Sequence, residues 1–123
     1  MKTTRRPTRP RYDLVEAQRR EVRIPKACVG KANQLLGMDD TAARQHIQDL
    51  FLSLVPADFA HVEVMSPKHG GKLLGDVYGK RDDFGVWFVK FHCQEETTTV
   101  ILSCHETEQD LPLADGRTLR RGR

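Results

Sequence analysis

Val86-Trp87-Phe88-Val89-Lys90-Phe91-His92-Cys93-Gln94-Glu95-Glu96-Thr97-Thr98-Thr99-Val100-Ile101-Leu102-Ser103-Cys104-His105 is the stretch that decides the fold. It holds two runs rich in β-branched and aromatic residues, Val86 to Cys93 and Thr98 to His105. The polar link Gln94–Thr97 between them has the length of a hairpin turn, so the two runs read as antiparallel strands. Working backwards, Leu73 to Lys80 reads as another strand, entering through a turn at Arg81–Gly85. Phe59 to Met65 reads as a further strand, with Ala60, Val62 and Val64 alternating against His61, Glu63 and Met65. A Pro/Gly/Lys/His loop, Ser66 to Lys72, joins these two.

Before Pro56 the apolar period changes from two to that of a helix. Ala43, Ile47, Leu50, Phe51 and Leu54 recur at helical spacing behind Asp39 or Asp40 as the cap. Pro25 suits the first position of a preceding helix that runs to Leu36, with Gly37 where a left-handed C-cap belongs. Tyr12 to Glu21 is a first short helix with Asp13 near its start, followed by a brief extended piece, Val22-Arg23-Ile24. Helices first and strands second imply an α+β domain, with N-terminal helices packed on one face of a C-terminal antiparallel β-sheet. The other face is then partly open to water.

The 123 residues suffice for one domain, placed at 12–106, between a basic flexible arm at 1–11 and a basic tail at 107–123 that frays by Gly116. No run approaches the roughly 18 apolar residues of a membrane helix. The basic N-terminus has no apolar region behind it, so it does not read as a secretory signal. Cys28, Cys93 and Cys104 lack C-x-x-C spacing and read as reduced thiols, which points to the cytoplasm. Net charge is +3, but residues 1–11 carry +5, residues 117–123 carry +4, and the body between carries −6. Basic ends can neutralise phosphates and steer RNA; equally, they can be solubilising tails or pair with an acidic partner.

Alternation sorts the side chains into two sets. With a turn at Gln94–Thr97, Val89 falls opposite Leu102 and Phe91 opposite Val100. Trp87, Val89, Phe91, Val100, Leu102 and Cys104 then face the helices, and Phe88, Lys90, His92, Ser103 and His105 face away. A turn around Asp83 pairs Tyr78 with Phe88 and Asp76 with Lys90, which puts Tyr78 on the open face and Val77 in the core. His61 and Glu63 can join that face from the first strand.

His61, Glu63, Tyr78, Lys90 and His105 on one surface suit RNA cleavage without a metal. The 2′-hydroxyl must lose a proton and the leaving 5′-oxygen must gain one, and imidazole titrates near the working pH. Glu63 can act as a base or polarise a histidine, Lys90 can offset phosphate charge, and Tyr78 can position the RNA. Lys80, Arg81, Arg117, Arg120 and Arg121 are candidates for phosphate contact. The alternative is a solvated polar face with no chemistry. A metal site is not expected, because alternation sends His92 and Cys93, and Cys104 and His105, to opposite faces. Gly70-Gly71-Lys72 lacks the full spacing of a phosphate loop.

Ala32-Asn33-Gln34-Leu35-Leu36-Gly37-Met38-Asp39, Ile47…Leu50…Leu54, Asp58-Phe59, Asp76-Val77-Tyr78, Trp87-Phe88-Val89-Lys90 and Val100-Ile101-Leu102-Ser103 follow one another in an order and spacing that resembles the MqsR-type toxins. The resemblance runs from Tyr12 to about His105 and is carried by order rather than by any single piece. It implies a RelE-like fold and a toxin that cuts single-stranded mRNA, has no metal cofactor and is neutralised by an antitoxin protein. His61 and His105 stand where the family carries lysines, and Gly75 where it can carry glutamine. Two rivals share the fold: a non-catalytic module that docks a protein or RNA, and a nuclease that associates with the ribosome and cuts only there.

Overall fold

In the computed structural model, residues 9–64 and 74–121 are described. Residues 1–8 of the basic arm, the loop expected at Ser66–Lys72 with its Gly70-Gly71-Lys72, and residues 122–123 of the tail lie outside them. The chain is α+β. Its helices are α1 (Leu14–Arg19), α2 (Lys26–Leu36) and α3 (Asp40–Ser53). Its strands are β1 (Glu21–Arg23), β2 (Phe59–Val64), β3 (Leu74–Asp82), β4 (Gly85–Gln94), β5 (Thr98–Glu106), β6 (Leu111–Pro112) and β7 (Thr118–Leu119).

The helix ends follow the cap residues. Asp13 and Asp39 each accept a backbone N–H from the first turn of their helix, from Glu16 at 3.0 Å and Ala42 at 2.8 Å. Gly37 ends α2 with φ +66°, a conformation that glycine adopts without steric cost. Gln18 of α1 donates to the carbonyls of Phe51 and Leu54 at the end of α3, where backbone carbonyls run short of helical partners.

The main sheet has the order β1-β5-β4-β3-β2. β2 to β5 form the expected antiparallel meander. The brief extended piece Val22-Arg23-Ile24 supplies most of β1, which pairs in parallel with Thr98–Val100 of β5 and makes the sheet mixed.

Register departs from expectation in three places, the first a bulge between Phe59 and His61 on β2 that turns Ala60 to the face of His61 and away from Val62, with which it was expected to alternate. The β3–β4 turn is tighter, with Asp82 opposite Gly85, because Asp82 Oδ1 accepts both the Phe84 N–H at 2.8 Å and the Trp87 indole N–H at 2.9 Å. Tyr78 therefore pairs with Val89, and Asp76 with Phe91. That slip of one residue moves Tyr78 and Asp76 to the helix side and Val77 to the other. On β5, Leu102 is an extra residue, a bulge between the pairs Phe91–Ile101 and Lys90–Ser103. Cys104 therefore faces the helix-side core as expected, and Ile101 joins it there in place of Val100 and Leu102.

The helix-side core joins Ala43, Ile47, Leu50 and Phe51 to Phe59, Tyr78, Trp87, Val89 and Phe91. Asp76 is buried there, and its carboxylate accepts the N–H groups of Arg11 at 2.7 Å and Tyr12 at 2.8 Å. Part of the arm thus docks on the sheet, where a flexible segment was expected. Burial raises the Asp76 carboxyl above its ordinary range, more than these two hydrogen bonds lower it.

The other face carries its own apolar cluster. Ala60 and Val77 meet Leu111 and Leu113, with Phe88 and Leu119 packed alongside. Residues 107–121, expected as a basic tail that frays by Gly116, fold back as the β6–β7 hairpin and cover the end of this face nearest the β3–β4 turn. Ala114 N–H donates to Phe59 O at 2.9 Å, which ties the hairpin to β2.

Candidate functional site

Beyond the hairpin, the candidate site is built on one rung of the sheet. His61 pairs with Val77, Val77 with Lys90, and Lys90 with Ser103, so all four side chains leave the same side. Glu63 lies two residues beyond His61 on β2 and therefore shares the face. His61 Nε2 is 2.8 Å from Glu63 Oε2, and Lys90 Nζ is 3.3 Å from Glu63 Oε1. One carboxylate bridges an imidazole and an ammonium.

His61 and Lys90 are mostly buried at the side chain, 14% and 17% exposed, while Glu63 is 36% exposed and opens the array to solvent. Burial alone would raise the Glu63 carboxyl. The hydrogen bond from His61 and the charge and hydrogen bond of Lys90 outweigh it and hold the group below its ordinary range. A carboxylate only accepts, so His61 Nε2 carries the shared hydrogen. In neutral His61 the lone pair is then on Nδ1, ready to take a proton.

His105 is on the same face, opposite Phe88, with the two rings stacked 5.0 Å apart at 13°. Its Nδ1 lies 2.9 Å from Glu106 O and must donate, which leaves the lone pair on Nε2. Lys90 and His105 are diagonal neighbours on adjacent strands, about 7–8 Å apart at Cα. His61 and His105 are separated by three strand spacings, roughly 14 Å or more. At that backbone separation no contact among the described residues joins the two rings, so His105 is not drawn into the array as His61, Glu63 and Lys90 are.

Tyr78 does not join the site. It is fully buried on the helix side, stacked on Phe91 at 5.8 Å and edge-on to Phe59 at 5.5 Å. Burial raises its hydroxyl far above the ordinary range, and that hydroxyl has no hydrogen-bond partner among the described residues. It cannot touch an RNA on the opposite face.

The basic candidates are scattered. Lys80 points to the helix side, 3.6 Å from Asp58 Oδ2 and 3.5 Å from Ser53 O. Arg117 braces the hairpin through Asp115 at 2.7 Å and Ala57 O at 2.9 Å. Arg81 donates to Arg120 O at 2.7 Å, and Arg120 and Arg121 are exposed. These last three sit at the hairpin end of the face, with the hairpin between them and Glu63.

Three features escaped the sequence reading. Alternation puts Phe88 on this face without marking its role, which is to carry the His105 ring. Gly75 stands out in the sequence solely as the place of an absent glutamine. Leu111, Leu113 and Leu119 were lost in a tail judged polar, although Leu111-Pro112-Leu113 already shows strand alternation. Cys28 and Cys104 are buried and Cys93 half-buried, and burial raises all three thiols, so none is an activated nucleophile. Among the described residues no three His, Cys, Asp or Glu side chains gather as metal ligands, and no helix is long and apolar enough to cross a membrane. Compared with family models, curated proteins and solved structures, the chain matches none.

Proposed function

We propose that this chain is a RelE-like toxin of the MqsR type, an endoribonuclease that cuts single-stranded mRNA in the cytoplasm and is held in check by an antitoxin protein. The observation that carries the reading is the bridged array His61–Glu63–Lys90 on the sheet face that the helices leave bare. Its components match what cleavage by the neighbouring hydroxyl needs. His61 takes the proton of the 2′-hydroxyl, the 2′-oxygen bonds to phosphorus, and the bond to the 5′-oxygen breaks. Lys90 offsets charge on the phosphate and gives a proton to the leaving 5′-oxygen. The products are a 2′,3′-cyclic phosphate and a 5′-hydroxyl. Glu63 holds the His61 Nε2–H and the Lys90 ammonium in place, and after release solvent takes the proton from His61 Nδ1 and returns one to Lys90. The stacked rings of Phe88 and His105 form a platform for an adjacent unpaired base. Arg81, Arg120 and Arg121 extend phosphate contact at the hairpin end. No step here calls on a cofactor.

The test combines growth with purified components. Expression of the chain arrests growth, and His61→Ala or Lys90→Ala relieves the arrest while retaining the fold by circular dichroism. Purified protein with end-labelled single-stranded RNA yields fragments that the two variants lose. Fragments that appear only in a translating extract would favour the ribosome-dependent rival. RNA bound but left whole would favour the binding module.

A further inference from the structure

Lys90 springs from β4, yet its ammonium ends 3.3 Å from Glu63 on β2. Its stem must cross β3, and it crosses at Gly75. A Cβ placed on Gly75 would stand 3.0 Å from Lys90 Cγ, 3.2 Å from Lys90 Cδ and 3.2 Å from Leu102 Cδ1. Ordinary carbon contacts begin near 3.5 Å. The crowded lysine atoms are in the middle of the stem rather than at its free end, so relieving the contact lifts the ammonium with them. Leu102, the extra residue of the β5 bulge, crowds the same place and narrows the room to step aside. The backbone does not require glycine here, because the glycines with positive φ among the described residues are Gly37, Gly85 and Gly116. What the position supplies is the absence of a side chain.

We propose that Gly75 is a positioning residue, whose missing side chain lays Lys90 across β3 onto Glu63 and so assembles the His61–Glu63–Lys90 array. The consequence for RNA cleavage rests on the proposed function; the positioning of Lys90 does not. The pairing of Glu63 with Gly75 on β2 and β3 puts this gap directly beside the carboxylate that Lys90 must reach. With the ammonium displaced, Glu63 keeps, among the described residues, His61 to oppose its burial.

The test is a double-mutant cycle of Gly75→Ala and Lys90→Met, read on the full chain by carbon NMR titration of the Glu63 carboxyl. Gly75→Ala raises the Glu63 midpoint in the wild-type background, in the same direction as Lys90→Met, and adds nothing once Lys90→Met is present. An unchanged midpoint, or an equal shift in both backgrounds, overturns the inference. Where Gly75→Ala alone does not fold, adding Lys90→Ala restores folding if the collision is with the lysine stem, and failure of the pair overturns it. In cleavage assays Gly75→Ala lowers kcat by up to about 10-fold with KM nearly unchanged, because the lysine stem must give by a few tenths of an ångström, less than the ångström that costs about 10²-fold. A wild-type chain that cuts no RNA sinks the proposed function, and the titration cycle still decides the positioning role.

Discussion

Gly79→Ala probes the least expected part of the fold, the packed C-terminal hairpin. Gly79 lies on the hairpin side of β3, opposite Phe88. An added Cβ would lie 2.5 Å from Leu111 Cδ2, 3.0 Å from Leu119 Cδ1 and 3.4 Å from Leu113 Cδ2. Methyl groups pack at about 3.5–4 Å, so the hairpin must retreat by roughly 1 Å. Overpacking of this kind costs about 1–3 kcal/mol. Complete undocking would expose three leucines, each worth at most about 1.5–3 kcal/mol, so a shifted hairpin is cheaper than a released one. A domain of this size loses roughly 4 °C of Tm per kcal/mol, and a fall of about 4–12 °C is expected. Hydrogen exchange should quicken at Ala114 N–H, which bonds Phe59 O at 2.9 Å. Gly30→Ala, at an exposed position of α2 with nothing within 4 Å of the new Cβ, should instead stabilise by about 0.5–1 kcal/mol. Calorimetry and exchange on both variants make the comparison. A Gly79→Ala protein with wild-type Tm and unchanged protection at Ala114 would refute the packing of the hairpin on β3.

Tyr78→Phe should leave RNA cleavage at the parental rate and stability within about 1 kcal/mol, because it removes a buried hydroxyl that has no partner; a large loss of cleavage with the fold intact would restore Tyr78 to the site. Glu63→Gln should destabilise the chain at neutral pH, and the gap should close in acid. The folded Glu63 carboxyl titrates below its unfolded value of about 4.3, so its contribution is full above that pH and lost as pH falls through the folded value. Urea unfolding of both proteins at neutral pH and near pH 3 checks this, and a gap that persists in acid would contradict it.

The helices were legible because their signals are local. Asp13, Asp39, Pro25 and Gly37 mark the ends, and Ala43, Ile47, Leu50 and Phe51 mark one buried face. The face of β4 was legible for the same reason, since Trp87, Val89 and Phe91 alternate strictly. What alternation cannot supply is register between strands. The sharing of Asp82 between Phe84 N–H and Trp87 tightened one turn and moved Tyr78 and Asp76 across the sheet. The bulge at Leu102 is likewise a pairing event with no mark in a single strand. His61, Glu63 and Lys90 survived both because they lie on β2 and β4, and His61 and Lys90 both pair with Val77 of the shifted strand. The hairpin was hidden by composition: Leu111, Leu113 and Leu119 are diluted among charged residues, and their partners Ala60 and Val77 lie far earlier in the chain.

The state of the RNA ends tests the central claim most directly. An array that activates the 2′-hydroxyl, with Lys90 serving the phosphate, must leave a 2′,3′-cyclic phosphate and a 5′-hydroxyl with EDTA present, and must leave DNA of the same sequence whole. Mass spectrometry of the fragments from purified protein reads this in one experiment. Cyclic-phosphate ends that vanish with His61→Ala are the predicted result. Fragments bearing 5′-phosphates, or undiminished cleavage by His61→Ala and Lys90→Ala proteins, would contradict it.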